Sequence, residues 1–239
     1  MKELLDRVLK ALPRYLPELG RLLVAPKTAI VQWVETARGD LTHPLVFVGL
    51  SVALGFVLQI PRLAKDQDFL AHAASMGAFK LVALVVAAAI IHGLFRLLRG
   101  RAHFAATFAA YLYLVSPLYL ALLLLHLAGD GVVRAFDPAL VAATGADPLY
   151  FASRPEEARR FVDTAPGLAW TYGALVWVRM LVTVGWFVAC WGAFRALHGV
   201  GRWRSLVAGL AAGVAILLCF QALEFLLLGM FGVRMPPLM

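Results

Sequence analysis

Residues Ala174–Phe194 read ALVWVRMLVTVGWFVACWGAF, an apolar run with the length of one membrane-crossing helix. Arg179 is the one charged residue inside it, and a charge at bilayer depth costs roughly 2.5–3.5 kcal/mol. Over the whole chain 62% of residues are hydrophobic, against about 45–50% in soluble domains. One soluble core cannot bury that much apolar surface. The composition therefore predicts an integral membrane protein.

Similar runs on either side of this one extend the prediction to the rest of the chain. Each is close to the ~20 residues that a bilayer core requires, allowing for tilt and a short first run. The five predicted spans are residues 44–60, 75–95, 104–128, 168–194 and 205–232. We therefore predict an all-α, polytopic helix bundle with a membrane domain over 43–239. Its outer loop, 129–167, is expected to carry short helices.

The N-terminal segment, residues 1–42, is predicted to be amphipathic and cytoplasmic. Its first helix places leucines and a valine on one face and charges on the other, and Pro13 and Pro17 are expected to end it. A second amphipathic segment starts near Pro26. Charges recur every few residues from the start, so a cleavable signal peptide is not expected.

The distribution of Lys and Arg predicts the orientation. They gather before the first span, in RLLRGR (96–101) and in RALHGVGRWR (195–204), whereas the alternate loops are balanced or acidic. By the positive-inside rule the N-terminus is cytoplasmic and the C-terminus lies outside. This explains the net charge of +8 without a nucleic-acid partner. The composition, rich in Ala, Leu and Arg, favours a bacterial inner membrane.

Polar groups inside the spans suggest one candidate site. Spans four and five are expected to form a hairpin that turns near Gly199, which brings Arg179 to within reach of Glu224, helped by Gln221. Such a group either holds two helices together as a static pair or lines an ion or substrate path. A G-x-x-x-G motif, Gly209 and Gly213, predicts close helix packing in span five.

The histidines give little support for a metal site or an enzyme. His72 and His126, near the outer ends of spans two and three, are weak metal candidates without ligand spacing, so an interfacial role is favoured. His92, within span two, is expected to hydrogen-bond to a neighbouring helix. No catalytic or nucleotide-binding motif is present, so we expect neither an enzyme nor a cofactor.

Three segments resemble the Yip domain family of Ypt-interacting membrane proteins. They are LLVAPKTAIVQWVETARGDLTHPLVFVGLSVALG, then FAATFAAYLYLVSPLYL with Tyr111 and Pro117, and WGAFRALHGVGRWRSLVAGLAAG, within residues 22–232. The resemblance implies five spans with a cytoplasmic N-terminus. Its eukaryotic members are implicated in vesicle trafficking and small-GTPase binding.

Two functions follow as hypotheses. The first is a non-enzymatic membrane protein that acts by interaction, as a scaffold, an organiser or a subunit of a complex. Its partners would be the lipid bilayer and a protein or a second copy, bound through membrane helices or the amphipathic N-terminus. The alternative is a transporter or permease subunit that uses the polar site between spans four and five.

Overall fold

A computed structural model describes most of the chain. Its backbone covers residues 2–63, 69–138, 151 and 155–231, and its side chains cover 13–59, 81–138, 151, 155–219 and 222.

The described residues form eight α-helices and no strand. They are α1 (Lys2–Val24), α2 (Pro26–Ala37), α3 (Thr42–Leu63), α4 (Phe69–Leu97), α5 (Phe104–Phe136), α6 (Pro155–Thr164), α7 (Pro166–His198) and α8 (Arg202–Phe231).

Four segments of the described chain are long and apolar enough to cross a membrane. They are Thr42–Gln59, Phe104–Phe136, Pro166–His198 and Arg202–Cys219. The apolar part of α4 whose side chains are described, Leu81–Leu97, is shorter, although α4 itself has 29 residues. The all-helical membrane architecture is therefore confirmed, and the fifth span, on α4, stays a prediction.

Pro13 and Pro17 do not end the first helix, contrary to the sequence-based expectation, because α1 runs on through both to Val24. Proline removes a backbone N–H and so frees a carbonyl one turn earlier. The two prolines are four residues apart and both exposed, so the gaps fall on one accessible face. The opposite face keeps its packing, with Tyr15 and Leu22 buried.

The chain divides into two compact units. The first unit comprises residues 1–117 and 187–236, and the second is built on residues 118–186. Pro117 lies inside the continuous helix α5, at the boundary between them. In the first unit α1 packs on α2 and α3, and α8 packs on α4.

Small side chains permit the packing of α8 on α4. The buried side of α8 carries Ser205, Ala208 and Ala212, spaced for one helical face. On α4, Ala87 is buried, and Ala88 is buried against Phe108 and Leu112 of α5. Membrane helices associate through such small residues because they let backbones approach closely.

The second unit has its own apolar core. Val133 of α5, Phe161 of α6 and Tyr172 of α7 are buried together, and Phe136 and Phe151 pack against them. One of the short helices predicted in the outer loop is present as α6, with Glu156 and Glu157 in its first turn. Most of the remaining loop, residues 139–150 and 152–154, lies outside the described residues, so any further short helix there stays a prediction.

Candidate functional site

Two helix-connecting turns meet in the first unit, and arginines flank both of them. Each preceding helix ends in a left-handed residue, Arg99 (φ 66°) after α4 and Gly199 (φ 62°) after α7. In both turns the next amide bonds five residues back, Gly100 N to Phe95 O and Val200 N to Arg195 O. This is the Schellman arrangement. The turns are joined by the Arg101 amide, which donates to the His198 carbonyl at 3.0 Å.

Gly100 is required for space. A Cβ there would lie 2.6 Å from His198 Nδ1 and 2.7 Å from the Phe95 carbonyl oxygen. His198 is fully buried and stacks on Phe95 with ring centroids 4.6 Å apart. The absent side chain at position 100 therefore lets the imidazole sit between the two turns.

Thr107 links two histidine rings, the buried His198 and the partly buried His92. Its Oγ1 lies 3.0 Å from His198 Nε2 and 3.0 Å from His92 Nδ1. A hydroxyl has one proton, so it can donate to one ring while it accepts from the other. The group connects α4, α5 and α7, and it confirms the predicted hydrogen bond from His92 to a neighbouring helix.

A second polar chain fastens α1 to the membrane helices. His43 Nε2 lies 3.1 Å from Glu18 Oε2, and His43 Nδ1 lies 2.5 Å from the Tyr113 hydroxyl. A carboxylate only accepts, so Nε2 carries the proton and donates to Glu18. In the neutral ring Nδ1 is then an acceptor, and Tyr113 donates to it. The chain runs from α1 through α3 to α5.

Aromatic rings and one further hydrogen bond surround this chain. The Trp33 ring of α2 lies 5.1 Å from that of Tyr113, and Phe47 lies 5.0 Å from Tyr15. Ser51 Oγ donates to the Phe47 carbonyl, so the Tyr15 hydroxyl must donate to Ser51, at 2.7 Å. Burial raises the pKa of Tyr15, which the Ser51 hydrogen bond partly opposes. The phenol therefore stays neutral and able to donate at physiological pH.

A groove of about 740 Å³ runs along the opposite side of α2. We call it the α2 groove. It is lined by Lys27, Thr28, Val31, Gln32, Glu35, Thr36, Arg38 and, from α7, Ala196. The Gln32 amide oxygen accepts a hydrogen bond from Arg21, whose guanidinium lies 5.9 Å from the centre of the Trp33 ring. The groove is open and lined by polar and apolar surface in similar measure, and α2 separates it from the aromatic cluster.

The predicted intramembrane group is described only in part. Arg179 is half-buried in the second unit, and no described carboxylate lies within ion-pairing distance of it. The side chains of Gln221 and Glu224 are outside the described residues. Their pairing with Arg179 therefore stays a prediction.

The predicted packing glycines face away from the described residues. Gly209 and Gly213 are exposed, and a Cβ at either would have no described atom within 4 Å. The face of α8 that packs on α4 is instead the one with Ser205 and Ala208. Packing through the glycine pair remains a prediction that would need a partner other than the described residues.

Of the two weak metal candidates, only one has a described side chain. His126 lies in α5 with its Nε2 3.8 Å from Oδ1 of the buried Asp130. The His72 side chain is outside the described residues. Across the side chains that are described, no three His, Cys, Asp or Glu residues come together as a metal site.

Comparison with known families places most of these polar contacts within one domain. The model of the Yip1 domain matches residues 20–228. The chain belongs to the Yip1 domain family. The matched region includes α2 and both basic turns. It also includes every residue of the polar contacts described above except Tyr15 and Glu18. No curated protein and no solved structure matches the chain.

The contacts of this Yip1 domain were only partly visible in the sequence. His92 stood out as a polar residue within a span. Thr107, Tyr113 and Ser51 did not, because hydroxyl side chains are common in membrane helices and carry no motif.

Proposed function

We propose that this Yip1-domain protein is not an enzyme and acts by binding another membrane protein or a second copy of itself. The observation that carries the proposal is the docked state of α1. Tyr15 and Leu22 are buried and Glu18 is hydrogen-bonded to His43, so α1 is held as part of the fold. A helix fixed in this way presents its other face in a defined place.

That other face is apolar and unusually exposed. Leu16, Leu23 and Val24 have exposed fractions of 67%, 54% and 87%. They lie seven and eight residues apart, which places them on one side of the helix. An apolar row on a fixed amphipathic helix suits a scaffold that collects a partner at the membrane surface.

Site-specific photo-crosslinking in native membranes tests the proposal. A photoreactive residue at Leu16 or Leu23 should give discrete protein adducts, identified by mass spectrometry. The control is Leu210 of α8, which is 65% exposed in a candidate span and should crosslink to lipid. Lipid adducts alone at all three positions would reject a protein partner on α1.

We propose further that the basic turns, with α1 and α2, face the cytoplasm, and that the C-terminus lies on the other side. Arg96, Arg99, Arg101, Arg195, Arg202 and Arg204 flank the two turns. The positive-inside rule supports this orientation, and in a bacterium the membrane would be the inner one.

A further inference from the structure

We propose that the α2 groove binds the headgroup of an anionic phospholipid, with the lipid phosphate near Lys27. The site is separate from the partner-binding face of α1, because it lies on α2 and α7. A result that rejects a protein partner on α1 would therefore not contradict the lipid site.

The position of Lys27 is fixed by a glycine on the neighbouring helix. A Cβ placed on Gly192 of α7 would lie 3.1 Å from Lys27 Cδ and 3.4 Å from its Cγ. The lysine stem therefore lies along the α7 backbone. Meanwhile Ala29 and Ile30 are fully buried on the inner side of α2 and hold that helix in place. The ammonium group is thus presented from a stem that is packed on both the helix and its neighbour.

The groove offers two cations without an acidic partner among the described residues, and one hydroxyl donor, Thr28. Among the described residues neither Lys27 nor Arg38 has a carboxylate within 4.0 Å. Thr28 lies next to Lys27 in the lining. Phosphate oxygens are the acceptors that such donors match. Glu35 is the one acid in the lining, and its carboxylate can accept from the hydroxyl groups of a glycerol headgroup.

The position of the groove near the end of α7 favours a lipid over a soluble anion. Ala196 is two residues from the end of α7, a candidate span, and α8, the next one, begins at Arg202. Trp203 at that start is 81% exposed and stands between two arginines. Exposed tryptophan at the end of a span marks the bilayer interface. The groove, which Ala196 lines, therefore lies close to the level of the headgroups.

Short-chain lipids test the site on the detergent-purified full chain. Dioctanoyl phosphatidylglycerol is titrated and its binding followed by native mass spectrometry or calorimetry. Dioctanoyl phosphatidylcholine and inorganic phosphate serve as the neutral-lipid and free-anion probes. We expect phosphatidylglycerol to bind more tightly than phosphatidylcholine, and phosphate at equal concentration to compete poorly.

A matched pair of double variants separates the groove from the general basic surface. Lys27→Gln with Arg38→Gln should weaken phosphatidylglycerol binding roughly thirtyfold, taking about 1 kcal/mol for each cation near an anionic headgroup. The control is Arg99→Gln with Arg101→Gln. It removes the same charge. Each double variant also replaces one arginine in the left-handed conformation, Arg38 (φ 47°) in the groove variant and Arg99 (φ 66°) in the control.

Each possible result either supports the lipid site or overturns it. A loss confined to the groove variant supports the site. Equal losses in both variants would mean attraction by the whole basic surface and would overturn it. Equal binding of the two lipids would also overturn it, and full competition by phosphate would replace the lipid with a soluble anion.

Discussion

Replacing Leu22 by alanine asks whether α1 is held in place by buried packing. Leu22 has an exposed fraction of 0%, and truncating a buried leucine costs about 2–5 kcal/mol. If the substitution destabilises only the docked state of α1, a cost of about 3 kcal/mol raises the population of undocked α1 by roughly a hundredfold. The neighbouring Leu23 is 54% exposed, and its replacement by alanine should cost less than about 1 kcal/mol.

Limited trypsin digestion in mild detergent measures that population. Arg21 lies in α1, and a protease cuts it only when the helix opens. Where reclosing is faster than cleavage, the cleavage rate follows the open population. We expect cleavage at Arg21 to rise steeply in Leu22→Ala and to change little in Leu23→Ala. Arg159 in α6, which belongs to the second unit, reports on global unfolding and should be cut at the parental rate.

Two results would refute the reasoning. Equal cleavage at Arg21 in both leucine variants would mean that Leu22 does not hold the helix. Parallel acceleration at Arg21 and Arg159 would mean that α1 does not undock separately and that the variant unfolds the chain as a whole.

Three further predictions concern the turns, the orientation and the intramembrane pair. Gly100→Ala should lower the melting temperature in detergent through an overpacking cost of about 1–3 kcal/mol, whereas Gly93→Ala, with no described atom within 4 Å of its Cβ, should be neutral or stabilising. Reporter fusions within 129–167 and at the C-terminus should mark the non-cytoplasmic side, and a cytoplasmic C-terminus would contradict five spans. Arg179→Leu or Glu224→Leu alone should cost about 3–5 kcal/mol of stability, with much of it recovered in the double variant. Additive losses would show that the two side chains do not meet, and a stable but inactive double variant would favour the transport hypothesis.

The helices of this protein were predictable because a span has to be apolar over a fixed length. The run Ala174–Phe194 lies inside α7, and the turn at Gly199 falls where the hairpin was expected. The partner of α8 was not predictable. Lipid-facing and helix-facing residues are both apolar, so the pattern does not say that Ser205 and Ala208 face α4. Nor does residue type alone say that a helix continues through Pro13.

The candidate site was predictable only as a set of isolated polar residues. His92 carried a correct expectation, because an imidazole within a span needs a hydrogen-bonding partner. The choice of Thr107 as that partner depends on contacts between residues far apart in the chain. Lys27 likewise reads as an ordinary basic residue until Gly192 is known to lie beside it. Long-range contacts of this kind leave no periodic signal in the sequence.

The first unit is built from two separate stretches of the chain, and this has a consequence for its synthesis. The helices α4 and α8 pack together, yet all of α5 to α7 is made between them, including residues 118–186 of the second unit. At about 5–20 residues per second, the ribosome needs roughly 5–20 s to travel from Leu97 to Arg202. During that interval the small-residue face of α4 that includes Ala87 is without its partner on α8. We expect a nascent chain stalled at His198 to crosslink through this face to the insertion machinery, and release of α8 to abolish the crosslink.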